Sequence, residues 1–174
     1  MTRTLGWQQS LLSLDERDIV VGRFDCSVTI QRPIEEVFAV LTDPTRSPEW
    51  SKHSLRGELL TEGPPRVGSR RRTVVKGFAG IGTMESVFEV TEIVPLRAVA
   101  LRQVSASWGG SGATRYTFTP VDGGTRVDWT WELNAGGPMR LLFGRPAMAM
   151  MARLFQADLE NLKALMEAGQ IGVG

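Results

Sequence analysis

One histidine (His53), one cysteine (Cys26) and one tyrosine (Tyr116) make a short inventory for nucleophilic, metal-binding or proton-transfer chemistry. An imidazole is the side chain whose proton exchange falls nearest neutral pH, so His53 is where general-base catalysis would be sought first. It follows the turn Pro48-Glu49-Trp50 and sits between Lys52 and Ser54, with no paired carboxylates and no Ser/His/Asp order beside it. A solvated loop or strand-end residue is expected there, and no catalytic residue is assigned. A lone thiol cannot form an internal disulfide, and with the histidine far away in sequence it makes a poor start for a zinc site. Neither a metal nor another cofactor is expected.

Arg70, Arg71 and Arg72, with Arg66 and Lys76 nearby, form the one basic cluster. Alternate residues of a strand face opposite ways, so Arg71 diverges from its two neighbours and the patch is split. Two roles stay open for it, a solvated edge or an anion clamp. Aromatic residues do not interleave with the cluster as a single-stranded nucleic-acid platform requires. Lysine plus arginine (20) nearly balances aspartate plus glutamate (19), so no global field draws the chain to nucleic acid or an anionic bilayer. The glycines of Gly77–Gly82 and Gly109–Gly112 precede strand patterns rather than a helix that would receive a phosphate, and they read as hairpin turns.

The elements that must position these groups follow from periodicity. Phe24, Cys26, Val28 and Ile30 alternate with polar residues from Arg23 onward, the signature of a half-buried strand. Pro33 suits the start of a helix, Glu35 and Glu36 suit the positive end of its dipole, and Ile34, Val37, Phe38 and Leu41 share one face. Thr42-Asp43-Pro44 stops that helix, and prolines at 44 and 48 allow only a short second one. Six further strands are expected at about 53–62, 69–78, 83–93, 97–104, 113–120 and 125–134, the last two joined by the tight turn Asp122-Gly123-Gly124. Met148, Met151, Phe155, Leu159, Leu162 and Met166 then form the apolar stripe of a long helix, with Gly169 as its C-cap. Pro146 either starts this helix or kinks one that begins near Pro138.

A length of 174 residues, 42% apolar and 22% charged, with a mean hydropathy of −0.08, is that of about one globular domain. We expect an N-terminal arm at 1–21 that packs on the domain or on a second copy in a homodimer, a ligand-binding domain at 22–169, and a tail at 170–174. No apolar run reaches the length of a membrane span or a signal peptide, so a cytoplasmic location is expected. The order strand, two short helices, six strands, long helix implies an α+β helix-grip fold: a curved seven-stranded antiparallel sheet whose one apolar face is covered by the terminal amphipathic helix.

That order, the segment Pro33-Ile34-Glu35-Glu36-Val37-Phe38-Ala39-Val40-Leu41-Thr42-Asp43-Pro44 and the following Pro48-Glu49-Trp50 resemble polyketide cyclase/dehydrase-like proteins of the SRPBCC superfamily, the START and birch-pollen-allergen group. Val67-Gly68-Ser69, Glu89-Val90-Thr91-Glu92, Gly124-Thr125-Arg126-Val127 and Asp158-Leu159-Glu160-Asn161-Leu162-Lys163 extend the likeness over about residues 22–168. A small capping residue is common before the first helix in such proteins, and here Arg32 stands instead.

The resemblance implies an internal cavity between sheet and helix. Val99, Leu101, Gln103, Tyr116, Phe118, Trp129 and Trp131 are expected to point into it from the strands, facing Phe143, Met148, Met151 and Phe155. The same residues would also make a solid core. Aromatics and flexible methionines line adaptable apolar pockets, and Gln103, the Tyr116 hydroxyl, the indole N–H groups, Glu85 and Ser86 are the polar groups able to orient a ligand. The expected partner is an apolar small molecule, aromatic, polycyclic, lipid-like or polyketide-like. Two other functions fit the resemblance: a cyclase, aromatase or dehydratase, and a protein-interaction module in the manner of co-chaperones or growth-inhibiting toxins.

Overall fold

A computed structural model describes residues 20–77, 80–107, 109–134 and 145–172. Strand β1 (Val20–Ile30) is followed by helix α1 (Ile34–Thr42), a 3-10 turn (Pro44–Arg46) and the short helix α2 (Ser47–Trp50). Six strands come next: β2 (Ser54–Leu59), β3 (Arg70–Lys76), β4 (Thr83–Val94), β5 (Ala98–Ala106), β6 (Ser111–Val121) and β7 (Gly124–Asn134). Helix α3 (Arg145–Glu167) ends the order. The strands form one antiparallel sheet in the order β1-β7-β6-β5-β4-β3-β2, the curved sheet and long helix of the helix-grip fold. β1 begins at Val20, so the last residues of the expected arm belong to the sheet; residues 1–19 lie outside the described residues.

Each helix is where local chemistry puts it. Pro33 precedes the first turn of α1, and Glu35 and Glu36 lie in that turn, at the positive end of the dipole. The Asp43 side chain ends α1's path by accepting from the Thr45 backbone N–H at 2.9 Å, which caps the 3-10 turn. That turn packs tightly on β2: a Cβ on Gly57 would stand 1.8 Å from the Pro44 carbonyl oxygen. Only glycine fits there.

Pro146 lies in the first described turn of α3, and the stretch back to Pro138, the alternative start, lies outside the described residues. Gly169, with φ +69°, closes the other end. Met148, Leu159, Leu162 and Met166 are buried against the sheet, while Met150 and Leu154 lie on the outer side.

α3 also ties the two ends of the described sheet together. On the β1 edge the Gln156 amide both accepts from Ser27 N at 3.2 Å and donates to Ser27 O at 3.0 Å, standing in for a neighbouring strand. Lys163 Nζ donates to Thr29 O at 2.7 Å. Toward the β2 edge, Asn161 donates to Trp50 O at 2.7 Å, and Asp158 takes bonds from the segment between α2 and β2. Arg32, the departure noted in the sequence, donates through Nε to Met166 O at 2.8 Å and so satisfies a carbonyl that the end of a helix leaves open.

Candidate functional site

The concave face of the sheet carries the aromatic set. On β6 and β7, Tyr116 and Trp129 stand opposite each other in register and stack with ring centroids 5.0 Å apart. Phe155 of α3 reaches down among them, with centroids 4.7 Å from Trp129, 5.7 Å from Trp131 and 5.2 Å from Phe24. Val99, Leu101, Tyr116, Phe118 and Trp129 are sealed within the hydrophobic core, and Met148 is buried with them. Trp131, Met151 and Phe155 pack on that core but keep partial exposure. Phe143 lies outside the described residues.

Gln103 shares the inward face of β5 with Val99 and Leu101. Its Nε2 donates to Ser86 Oγ at 2.6 Å, and its Oε1 is buried with no partner. Whichever way the amide is turned, Ser86 satisfies one end and leaves the other. The Trp131 indole N–H is likewise buried without a partner. Gly112 lies between them: the Cβ it lacks would sit 3.4 Å from Gln103 Oε1 and 3.5 Å from Trp131 Cζ2. Phe88 completes this wall, edge-on to Trp131 at 5.7 Å. Glu85 faces outward and pairs with Arg72 at 3.1 Å, with 52% of its side chain exposed.

The basic cluster splits as strand geometry requires. Arg70 pairs with Glu89 at 3.0 Å, and Arg72 with Glu58 and Glu85, all on the outer face. Arg71 turns inward. Its Nη1 lies 3.5 Å from the Thr42 carbonyl, it interacts electrostatically with the nearby Tyr116 hydroxyl, and its Nε is enclosed without a partner. Burial pushes the Arg71 guanidinium below its usual range, and burial raises the Tyr116 hydroxyl to about 12, the nearby Arg71 charge offsetting part of that rise. A space of about 20 Å³, room for about one water, opens beside Arg71 between Thr42, Leu59, Ser69, Val90 and Val99.

His53 stands immediately before β2, the strand-end position expected, but its surroundings correct the sequence reading. Far from being a solvated imidazole without a partner, it places Nδ1 2.6 Å from Asp158 Oδ2 and packs its ring on Phe155 at 5.0 Å. Asp158, 3% exposed, also accepts from Ser51 Oγ at 2.7 Å and from Lys52 N at 3.0 Å. A carboxylate so close makes Nδ1 the protonated nitrogen and leaves the lone pair of the neutral ring on Nε2. Ser51 donates to the carboxylate on the same side as Nδ1, so the trio does not build the serine–Nε2 contact of a hydrolase. Asp158 was missed because it is 105 residues from His53, although it flanks the Phe155–Leu159 stripe on the helix.

Cys26 is buried on β1, with Sγ 3.5 Å from Ala152 O, and burial raises its thiol. Among the described residues no three His, Cys, Asp or Glu side chains converge on a point where a metal could bind, and no helix is long and apolar enough to cross a membrane.

Residues 22–167 match the family model described as polyketide cyclase / dehydrase and lipid transport. The chain belongs to this family. The uncharacterized protein Rv2574 of Mycobacterium tuberculosis is 28% identical over 138 residues, covering 77% of this chain and 78% of its own. Among solved structures, TTHA0849 from Thermus thermophilus superposes with a TM-score of 0.71 at 17% identity, over 86% of this chain and 100% of that one. Major latex-like protein 151 from Panax ginseng gives 0.59 at 16% identity, over 82% and 95%. Likenesses this distant establish the fold alone. The family thus covers both chemical transformation and carriage of apolar molecules, and the side chains of this member must decide between them.

Proposed function

We propose that this family member binds an apolar small molecule between the sheet and α3, at the end marked by Phe88, Gln103, Trp131, Met151 and Phe155. The observation that carries the reading is the unpartnered donor and acceptor, Trp131 Nε1 and one end of the Gln103 amide, buried side by side on an aromatic wall. A buried polar group left without a partner costs about 1–3 kcal/mol, and a ligand carbonyl or hydroxyl there would relieve both. Partial exposure of Trp131, Met151 and Phe155, against the sealed Leu101 and Phe118, supports entry from this end. A ligand of about 20 to 30 heavy atoms would bind near micromolar or tighter.

The test is titration with Nile red, an uncharged apolar fluorophore, alongside native mass spectrometry of freshly purified protein. Saturable binding with energy transfer from the indoles is expected, and Trp131→Ala should weaken it by more than it destabilises the fold. No saturable binding, together with a truncation cost of several kcal/mol, would identify a filled core and favour an interaction module.

A second reading, proton-transfer chemistry on the bound molecule, draws on the His53–Asp158 pair, which orients an imidazole against the same Phe155 ring. Ligand recovered with loss of water after incubation with the wild type, but unchanged with His53→Gln, would mark turnover.

A further inference from the structure

Arg71 is the exception on an apolar and aromatic face. A guanidinium carries five N–H donors and keeps its charge inside proteins, and buried charges persist where they are paired. Its two neighbours in sequence are paired, to Glu89 and to Glu58 and Glu85. Arg71 is offered only neutral oxygens, the Thr42 carbonyl and the Tyr116 hydroxyl, and its Nε has nothing. Among the described residues no carboxylate pairs with it, and Asp43 acts on it only from a longer range. The Tyr116 hydroxyl near Arg71 carries a proton of its own to donate.

We propose that Arg71 is the anion-binding pole of the pocket: with the Tyr116 hydroxyl donating beside it, it takes the carboxylate, or another single negative group, of an otherwise apolar ligand. The inference rests on the apolar pocket proposed above and adds the ligand's charge to it. The space beside Arg71 admits about one water-sized group, which suits a small terminal anion and excludes a ring. Register supplies the rest of the molecule. Arg71 stands opposite Phe88, and Phe88 opposite Gln103, so on the backbone Arg71 and Gln103 lie about two strand spacings, or 10 Å, apart with Phe88 on the strand between. The recognised class is therefore an acid whose aromatic or aliphatic body lies across Phe88 and whose far end carries a carbonyl or hydroxyl. A desolvated guanidinium–carboxylate contact is charge-assisted and gains strength where water is excluded.

Pyrenebutyric acid and its methyl ester share one apolar body and differ in charge, and indole-to-pyrene energy transfer in the full chain reads the binding of each. The wild type is expected to bind the acid at least about tenfold more tightly, a difference of about 1.4 kcal/mol. Arg71→Gln should bring the acid-to-ester ratio to about one. Equal binding of acid and ester by the wild type, or a ratio that survives in Arg71→Gln, would overturn the inference while leaving the pocket standing. Binding of neither ligand would overturn the pocket and the inference together. Because the cation is unpaired without ligand, Arg71→Met should melt no lower than the wild type. Failure of both variants to fold would make Arg71 a structural residue and end the proposal.

Discussion

Tyr116 is the only tyrosine of the chain, so its ionisation can be read without ambiguity from phenolate absorbance. The perturbation is a rise in pH. Burial raises the hydroxyl from 10.0 to about 12, with the nearby Arg71 charge pulling the other way. A shift of about two units corresponds to roughly 2–3 kcal/mol of preference for the protonated form in the folded protein. The folded state holds this proton more tightly than the unfolded state, so the contribution is fully present below pH 10 and is lost as pH climbs toward 12. With domain stabilities of about 5–15 kcal/mol, that loss alone need not unfold the protein. Difference absorbance recorded beside far-ultraviolet circular dichroism is the assay. While the dichroism stays native, little phenolate should form before about pH 11, and urea midpoints should fall between pH 10 and 12. A phenolate midpoint near 10 in protein that is still folded would place Tyr116 in contact with water and refute its position between Arg71 and Trp129.

Asp158→Ala strips partners from the buried Ser51 hydroxyl, from the Lys52 N–H and from His53, and should cost about 3–5 kcal/mol in urea titration, with Asp158→Asn recovering part of it; a loss under about 1 kcal/mol would mean that α3 is not anchored there. Gly57→Ala forces a methyl group against the Pro44 carbonyl and should destabilise by about 1–3 kcal/mol or more, read as a lowered melting temperature; a neutral result would contradict the packing of the 3-10 turn on β2.

Much of the fold was legible because its signals are local. The alternation of Phe24, Cys26, Val28 and Ile30, the Asp122-Gly123 turn and the stripe from Met148 to Met166 depend on neighbours within a few residues, and strands and helix lie where those periods place them. The inward parity of Val99, Leu101 and Gln103 is of the same kind. Arg71 was half legible. Alternation separates it from Arg70 and Arg72, but Val74 and Val75 lie one on each face, so the strand's own sequence does not say which face is covered. Only pairing with Phe88 decides it. His53 and Asp158 were not legible together, since 105 residues separate them and no periodicity links a loop after α2 to the middle of the last helix. Arg32 read as an oddity before a proline, and its partner, the Met166 carbonyl, lies 134 residues away.

The polar ties of α3 are unevenly spread along its length. Gln156, Asp158, Asn161 and Lys163, with Arg32 on the Met166 carbonyl, hold its C-terminal part to both edges of the sheet. Toward the other end, among the described residues, the helix rests mainly on Met148, Met151 and Phe155, apolar contacts that repack readily, with the Cys26 thiol on the Ala152 carbonyl as its polar tie. Mechanically, the described helix is a beam fastened by polar bolts in its C-terminal part and seated on a softer apolar bearing in its N-terminal part. Were a guest to enter beside Trp131 as proposed, the apolar bearing is where side chains would repack to seat it, while the fastened part keeps helix and sheet in register.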